Sequence, residues 1–234
     1  MLEIRRGNER GYADHGWLKS YHTFSFANYF DPKHVEIGPL RVINEDQVAP
    51  GGGFPTHAHS DMEIISYVLD GELAHKDSIG TGSTIVPGDV QRMSAGSGVR
   101  HSEFNVSHDK LVHFLQIWIQ PNKKGITPEY EQKHFGPADK RGRLQLIASP
   151  DSAEGSVLIH QNAKVYAGLF NGGESAGLEI GKDRQAYVHV ARGEVAINET
   201  LLGAGDGIKL TDVAKLAISK GVNAEVIVFD LPRG

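Results

Sequence analysis

Two short pairs of residues in this 234-residue chain have the types and spacing to hold a metal ion: His57-Ala58-His59 and His101-Ser102-Glu103. In an extended strand, residues i and i+2 point to the same face and lie about 6.6 Å apart along the chain. Each pair therefore converges on one point. With the two strands facing each other across a barrel interior, three imidazoles and one carboxylate meet. That set contains the two-histidine, one-carboxylate group favoured by non-haem Fe(II), adds a third imidazole, and leaves up to two coordination positions open. Cysteine is absent, which excludes thiolate ligands, Fe–S clusters, disulfides and thiol nucleophiles together. A closed tetrahedral zinc site more often uses thiolates. Spacing alone leaves iron, nickel, manganese, copper and zinc all open. Glycines at 51–53 precede the first pair, and Gly96 and Gly98 precede the second, so the backbone can turn tightly into each ligand strand.

The elements that must position these pairs read as β-strands. Leu40–Ile43, Met62–Leu69, Leu111–Ile119 and Glu225–Phe229 are short runs rich in β-branched and aromatic residues. Asp70-Gly71 between two such runs predicts a tight hairpin. No window shows a convincing 3.6-residue period, and many glycines and prolines fall between the runs. The pattern predicts an all-β sandwich or barrel. A net charge of -5 and a pI near 6.2 argue against a nucleic-acid surface. Met1–Trp17 has no apolar core of a signal peptide, and no run approaches the roughly 18 apolar residues of a membrane helix, so a cytoplasmic protein is expected.

Between Pro121 and Gly142 the chain turns polar, basic and proline-containing, which reads as a connection between two lobes. The second lobe echoes the first. Tyr67–Leu73 resembles Val188–Val195 around a shared Gly-Glu, and Pro87-Gly88-Asp89 resembles Ala204-Gly205-Asp206. An internal duplication is expected, with a metal-binding domain at 1–132 and a domain at 133–234 that keeps the scaffold and lacks the ligands.

The motifs carry a resemblance as well as a spacing. Gly51, His57, His59 and Glu63 resemble the first cupin motif, and Gly98, His101 and Asn105 match the end of the second. More closely, Gly53–His59, Met93–Glu103 and His22–Phe26 look like the pirin family, with the similarity specific from about Asn8 to Gln132. The resemblance implies two antiparallel cupin-type β-barrels packed face to face, a bicupin, with iron as Fe(II) in the first. By motif position its ligands are His57, His59, His101 and Glu103. The general cupin motif would add Glu63, but four residues beyond His59 in a strand is roughly 13 Å. The carboxylate is therefore assigned to Glu103, and Glu63 to a supporting role.

Some pirin-like proteins are flavonol 2,3-dioxygenases, which open the quercetin ring and release carbon monoxide. The resemblance thus implies a small aromatic substrate and O2. A 3-hydroxy-4-ketone suits an open metal position, with Glu103 accepting the hydroxyl proton. Pirins also include regulatory proteins whose iron site senses redox state and whose surface binds a transcription factor or enzyme. A metal-dependent isomerase or hydrolase is the third reading. A fused double barrel is expected to be a monomer. Of the other histidines, His113 is read as a hydrogen-bonded core residue ahead of a cavity residue. His22 is read as part of a buried aromatic stripe with Phe24 and Phe26. His75, His108, His134, His160 and His189 are assigned surface or structural roles.

Overall fold

A computed structural model describes residues 1–233. Among them the first lobe runs through β1 (Leu2–Arg5), β2 (Gly11–Asp14), β3 (Leu18–His22), β4 (Leu40–Val48), β5 (Gly53–His59), β6 (Glu63–Asp70), β7 (Leu73–Asp77), β8 (Gly82–Ile85), β9 (Asp89–Ser94), β10 (Val99–Asn105), β11 (Val112–Ile119) and β12 (Glu129–His134). After the single helical turn α1 (Pro137–Lys140), the chain continues as β13 (Gln145–Ser149), β14 (Val157–Leu158), β15 (Lys164–Phe170) and β16 (Ala176–Glu179). The remaining strands are β17 (Arg184–Ile197), β18 (Thr200–Gly203), β19 (Gly207–Leu210) and β20 (Lys215–Pro232). All four runs picked out in the sequence fall in strands, except for the leading Met62 and Leu111. Among the described residues, no helix is long and apolar enough to cross a membrane.

The first barrel closes between a seven-stranded sheet, in the order β12-β9-β6-β11-β4-β3-β2, and a four-stranded sheet, in the order β5-β10-β7-β8. Strand alternation sorts its side chains. On β6 and β11, Val68 and Phe114 turn inward to meet Leu73 and Ile85 from the smaller sheet. Their neighbours Ile65, Tyr67, Leu69, Leu115, Ile117 and Ile119 turn outward and are buried against the second lobe. There they meet Ile147, Val165, Tyr187, Ile227 and Phe229 in one continuous cluster. Each fully buried large apolar side chain contributes about 1.5–3 kcal/mol, so the seam is the main adhesive between the lobes. The second barrel is one nine-stranded sheet in which β17 and β20 pair along their length and bend at three register shifts between Val190 and Ala196. The expected all-β architecture of two cupin-type barrels packed face to face is what the chain adopts.

Three sequence expectations change. Asp70-Gly71 does not make a hairpin: β6 pairs with β9 and β11, while β7 pairs with β8 and β10 in the other sheet. Gly71 is instead a corner between sheets at φ +77°, where a Cβ would meet the Leu111 carbonyl oxygen at 2.6 Å. The second lobe repeats the device, since Gly193 at φ +66° marks the bend of β17. The two corners also touch, through Arg192 Nη2 and Asp70 Oδ2 at 2.6 Å. The duplicated turns match in detail. Asp89 Oδ2 accepts from Val86 N–H, and Asp206 Oδ2 accepts from Gly203 N–H, each three residues back.

The segment 121–142 is not a plain solvated connection. It contains β12, which pairs with β9 of the first barrel, and it delivers buried Lys140 to the seam, where Nζ donates to Tyr67 Oη at 2.7 Å. In exchange, β1 lies on β19 of the second sheet. The aromatic stripe divides as well, because β3 ends at His22. Phe24 packs at the seam near Tyr187, whereas His22 and Phe26 face the first barrel's interior.

Candidate metal centre

The strands β5 and β10 are hydrogen-bonded neighbours rather than strands facing each other across the barrel. His101 lies opposite His57, and Val99 lies opposite His59. Period-2 alternation turns His57, His59 and His101 to one face. Their ring centroids are 4.7 Å (57–59), 4.5 Å (57–101) and 5.0 Å (59–101) apart. One nitrogen from each lies within 4.8 Å of the others. A register shift between His101 and Glu103 leaves Glu103 pointing inward and fully buried. Its Oε1 accepts from Ser66 Oγ at 3.1 Å, and its Oε2 accepts from Gln116 Nε2 at 2.8 Å. Glu103 groups with His101 and His75, again with all three ligand atoms within 4.8 Å.

Hydrogen bonds prepare the imidazoles. His57 Nδ1 is 2.9 Å from the Pro55 carbonyl oxygen, which can only accept, so Nδ1 carries a proton and Nε2 is the nitrogen turned toward the other rings' cluster. A longer chain does the same for His101. Asp77 takes His75 Nε2 at 3.0 Å, and His75 Nδ1 faces His101 Nδ1 at 3.5 Å. With the His75 proton drawn to the Asp77 side, His75 Nδ1 accepts from His101 Nδ1–H. His101 Nε2 is then a bare lone pair, and it is buried without a partner. Burial, reinforced by the neighbouring histidines, lowers the pKa of His101 to about 3. Burial and His57 lower that of His59 to about 4. Both rings are therefore neutral at physiological pH. Burial, with Asp46 adding repulsion, raises Glu103 to about 7 despite the bonds from Ser66 and Gln116. Neutral imidazoles, one of them with an orphaned buried nitrogen, beside a carboxylate that resists carrying its charge uncompensated make a donor set that fits a divalent cation.

The site opens on a cavity of about 650 Å³. Phe26, Phe54, Trp118 and Leu18 supply its apolar walls, and Ser20, His22, Asn44, Asp46 and Gln116 its polar lining. Trp118 stands edge-on to His59 at 5.0 Å and to Phe26 at 5.5 Å. Asp46 is a second buried carboxyl in this cavity, raised to about 7 by burial.

Glu63 joins neither ligand group. Its carboxylate accepts from Ser94 Oγ at 2.7 Å and lies 3.4 Å from His160 Nδ1. His113 does not line the cavity, and its Nε2 contacts Glu45 Oε1 at 2.8 Å at the seam. His22 departs from its expected core role by lining the cavity, with Nε2 2.9 Å from Ser20 Oγ. His75 is not a detached structural histidine, since its ring stands 5.3 Å from that of His101. Its signal was the i,i+2 pair His75-Lys76-Asp77. Asn44 and Asp46, just beyond the Leu40–Ile43 run, and Gln116, inside the Leu111–Ile119 run, carry no spacing that marks them in the sequence.

Comparison with known proteins fits this geometry. A family model described as Pirin matches residues 4–119, and one described as Quercetinase C-terminal cupin domain matches residues 146–231. A protein of Escherichia coli strain K12 named quercetin 2,3-dioxygenase is 44% identical over 232 residues, covering 99% of each chain. A pirin-like protein of Caulobacter vibrioides is 42% identical over 98% of this chain and 99% of its own. The crystal structure of the bacterial pirin YhhW from Escherichia coli in complex with nickel(II) superposes with a TM-score of 0.95 at 44% identity, covering 100% of both chains. With two barrels, two matching family models and relatives alike over their full length, this chain belongs to the pirin family of bicupins.

Proposed function

We propose that His57, His59, His101 and Glu103 hold one divalent metal ion, Fe(II) in the cell, and that the protein is a flavonol dioxygenase of the quercetin 2,3-dioxygenase type acting as a monomer. In this reading residues 1–132 form the catalytic domain, and 133–234 the domain without ligands. The observation that supports it is the cluster of His57, His59 and His101, with Glu103 grouped with His101 beside it, at the wall of a cavity large enough for a fused-ring substrate.

Held by these residues, a divalent metal would supply the Lewis acidity that lowers the pKa of a substrate hydroxyl. The chain's own residues do the rest. Phe26, Phe54 and Trp118 flank a flat ring system and keep water from it. Glu103 accepts the hydroxyl proton. Ser66 and Gln116 hold its carboxylate in place while it does so.

The test is oxygen uptake by the iron- and the nickel-loaded protein with quercetin. Stoichiometric consumption of oxygen and release of carbon monoxide is the expected result. No uptake with either metal overturns the reading. Turnover under strict anaerobiosis would instead mark an isomerase or hydrolase, and a protein partner whose binding follows the Fe(II)/Fe(III) state would mark a redox-sensing regulator.

A further inference from the structure

A buried cation carried by the second barrel's sheet reaches the rim of the first barrel's cavity. Arg5 stands on β1, which is paired with β19, yet its guanidinium turns to the loop that follows β3. Nη2 donates to Tyr29 Oη at 2.6 Å, and Nη1 lies 3.5 Å from Asp31 Oδ2. Arg5 is only 7% exposed, so its charge is committed to this contact. Breaking the contact would leave a buried guanidinium unpaired. Asp31 is fixed in turn, because its N–H donates to Ser25 Oγ at 2.9 Å and its Oδ1 accepts from Lys33 N–H at 3.0 Å.

Tyr29 carries the contact to the cavity. It closes a two-residue turn with Phe26, in which the Phe26 N–H donates to Tyr29 O at 3.0 Å and the Tyr29 N–H donates to Phe26 O at 2.9 Å. The turn places Ala27 at φ +50°, a conformation unfavourable for a residue with a Cβ. Such a turn gains from an anchor outside itself, and the Tyr29 side chain supplies it. Its ring lies on Gly11 of β2, the end strand of the seven-stranded sheet, where a Cβ would overlap it. Its hydroxyl meets Arg5. All four residues of the turn, 26–29, line the cavity. Phe26 is the one that reaches toward the histidines, edge-on to Trp118, which stands edge-on to His59.

We infer that Arg5 is a positioning residue for the cavity's aromatic wall, so that the second barrel sets the place of Phe26 through Arg5, Tyr29 and the 26–29 turn. A domain without ligands thereby takes part in shaping what the first domain binds. The link itself stands on the contacts, and only its effect on turnover rests on the reading of this cavity as a substrate site. Cutting the link at Arg5 or at the Tyr29 hydroxyl releases the turn, while the histidines stay where β5 and β10 hold them.

Amide hydrogen exchange of the metal-free protein, followed by NMR in Arg5→Met and Tyr29→Phe, tests the link without coordination or turnover. The Phe26 and Tyr29 amides should exchange about tenfold faster or more in both variants, the loss of one hydrogen bond to a charged group. The Thr23 amide, bonded to Ile43 O, and the amides of Leu2 to Ile4 on β1 should stay within about twofold of wild type. Unchanged exchange at Phe26 and Tyr29 overturns the inference. So does a rise spread equally over Thr23 and β1, which marks loosening of the whole fold. Should Arg5→Met fail to fold, Tyr29→Phe decides, since it removes one hydroxyl and keeps the ring on Gly11. In the iron-loaded protein, Arg5→Met should raise the KM for quercetin more than it lowers kcat, and a fall in kcat with KM unchanged counts against the link. If wild type does not turn over quercetin, the flavonol reading falls and the exchange result still decides the role of Arg5.

Discussion

The two barrels share a scaffold and differ in what fills them. The interior of the second is apolar, with Phe170, Val188, Val195, Leu202, Ile208 and Val226 among its fully buried residues. The interior of the first holds His22, Asn44, Asp46, Ser66, His101 and Glu103, all buried, around a large cavity. Counting back five residues from the two corner glycines, Gly71 and Gly193, reaches Ser66 in one barrel and Val188 in the other. The first bonds to Glu103, and the second fills space. One copy is packed for stability and supports its neighbour through the shared seam. The other gives up packing for preorganised polar groups, a common trade at functional sites.

If the comparison is right, the largest effects of substitution are confined to a few residues of the first barrel. Glu103→Ala should weaken nickel binding to the metal-free protein by more than about 100-fold, beyond the 10–100-fold typical of residues that only orient ligands. Glu63→Ala should leave affinity nearly unchanged, because Glu63 bonds Ser94 and faces His160 outside the ligand cluster. His75→Ala should fall between, at about 10–100-fold, by releasing the proton position of His101. Calorimetric titration of the three variants ranks them, and a larger loss for Glu63 than for Glu103 would reverse the assignment of the carboxylate.

What the sequence made legible follows the range of the interactions. His57 with His59, and His101 with Glu103, are pairs set by the two-residue period of a strand, which is local. That the pairs lie on hydrogen-bonded neighbours is not local, since strand pairing depends on the whole chain, and β5 and β10 are separated by β6–β9. Asp70-Gly71 signals a backbone with positive φ at Gly71 without revealing where the next strand will pair. The dipeptide therefore predicts a hairpin where the fold makes a corner. Asn44 and Asp46 are not legible because the apolar run ends at Ile43, where the polar residues begin; in a cavity-lining strand, polar inward positions mimic a loop. His75 was legible in principle, since Asp77 shares its face, yet only the fold shows that His101 is next to it.

The joint between the barrels should respond to acid. Glu45 points outward from β4 into the seam, where Arg10 Nη1 and His113 Nε2 each approach its carboxylate at 2.8 Å. Burial alone would raise its pKa, but the bond from His113 and the charge of Arg10 outweigh it and hold the group at about 2, against an ordinary 4.5. A folded-state pKa below the unfolded one gives stability that is present above about pH 4.5 and is lost as pH falls toward 2, on the order of 3 kcal/mol in all. Glu45→Gln should therefore show a shallower acid limb in urea-unfolding free energy measured from pH 5 down to the onset of acid unfolding. A limb as steep as that of wild type would place the acid sensitivity elsewhere.

The smallest predicted effect tests the comparison most directly, because it exchanges the two barrels' choices at corresponding positions. Val188 is fully buried and pairs with Ile208 and Val228. Val188→Ser removes apolar volume and introduces a hydroxyl among Ile and Val side chains, which should cost about 1–3 kcal/mol. Ser66→Val does the opposite. It removes a hydroxyl from Glu103 and Gln116 but adds apolar surface, and Glu103 keeps its bond from Gln116. In metal-free protein the loss and gain should nearly cancel, to within about 1 kcal/mol. Urea unfolding of the two metal-free variants measures the asymmetry. Equal destabilisation by both would mean that the first barrel's interior is as tightly packed as the second's, and that its polar residues are structural rather than held ready for a ligand.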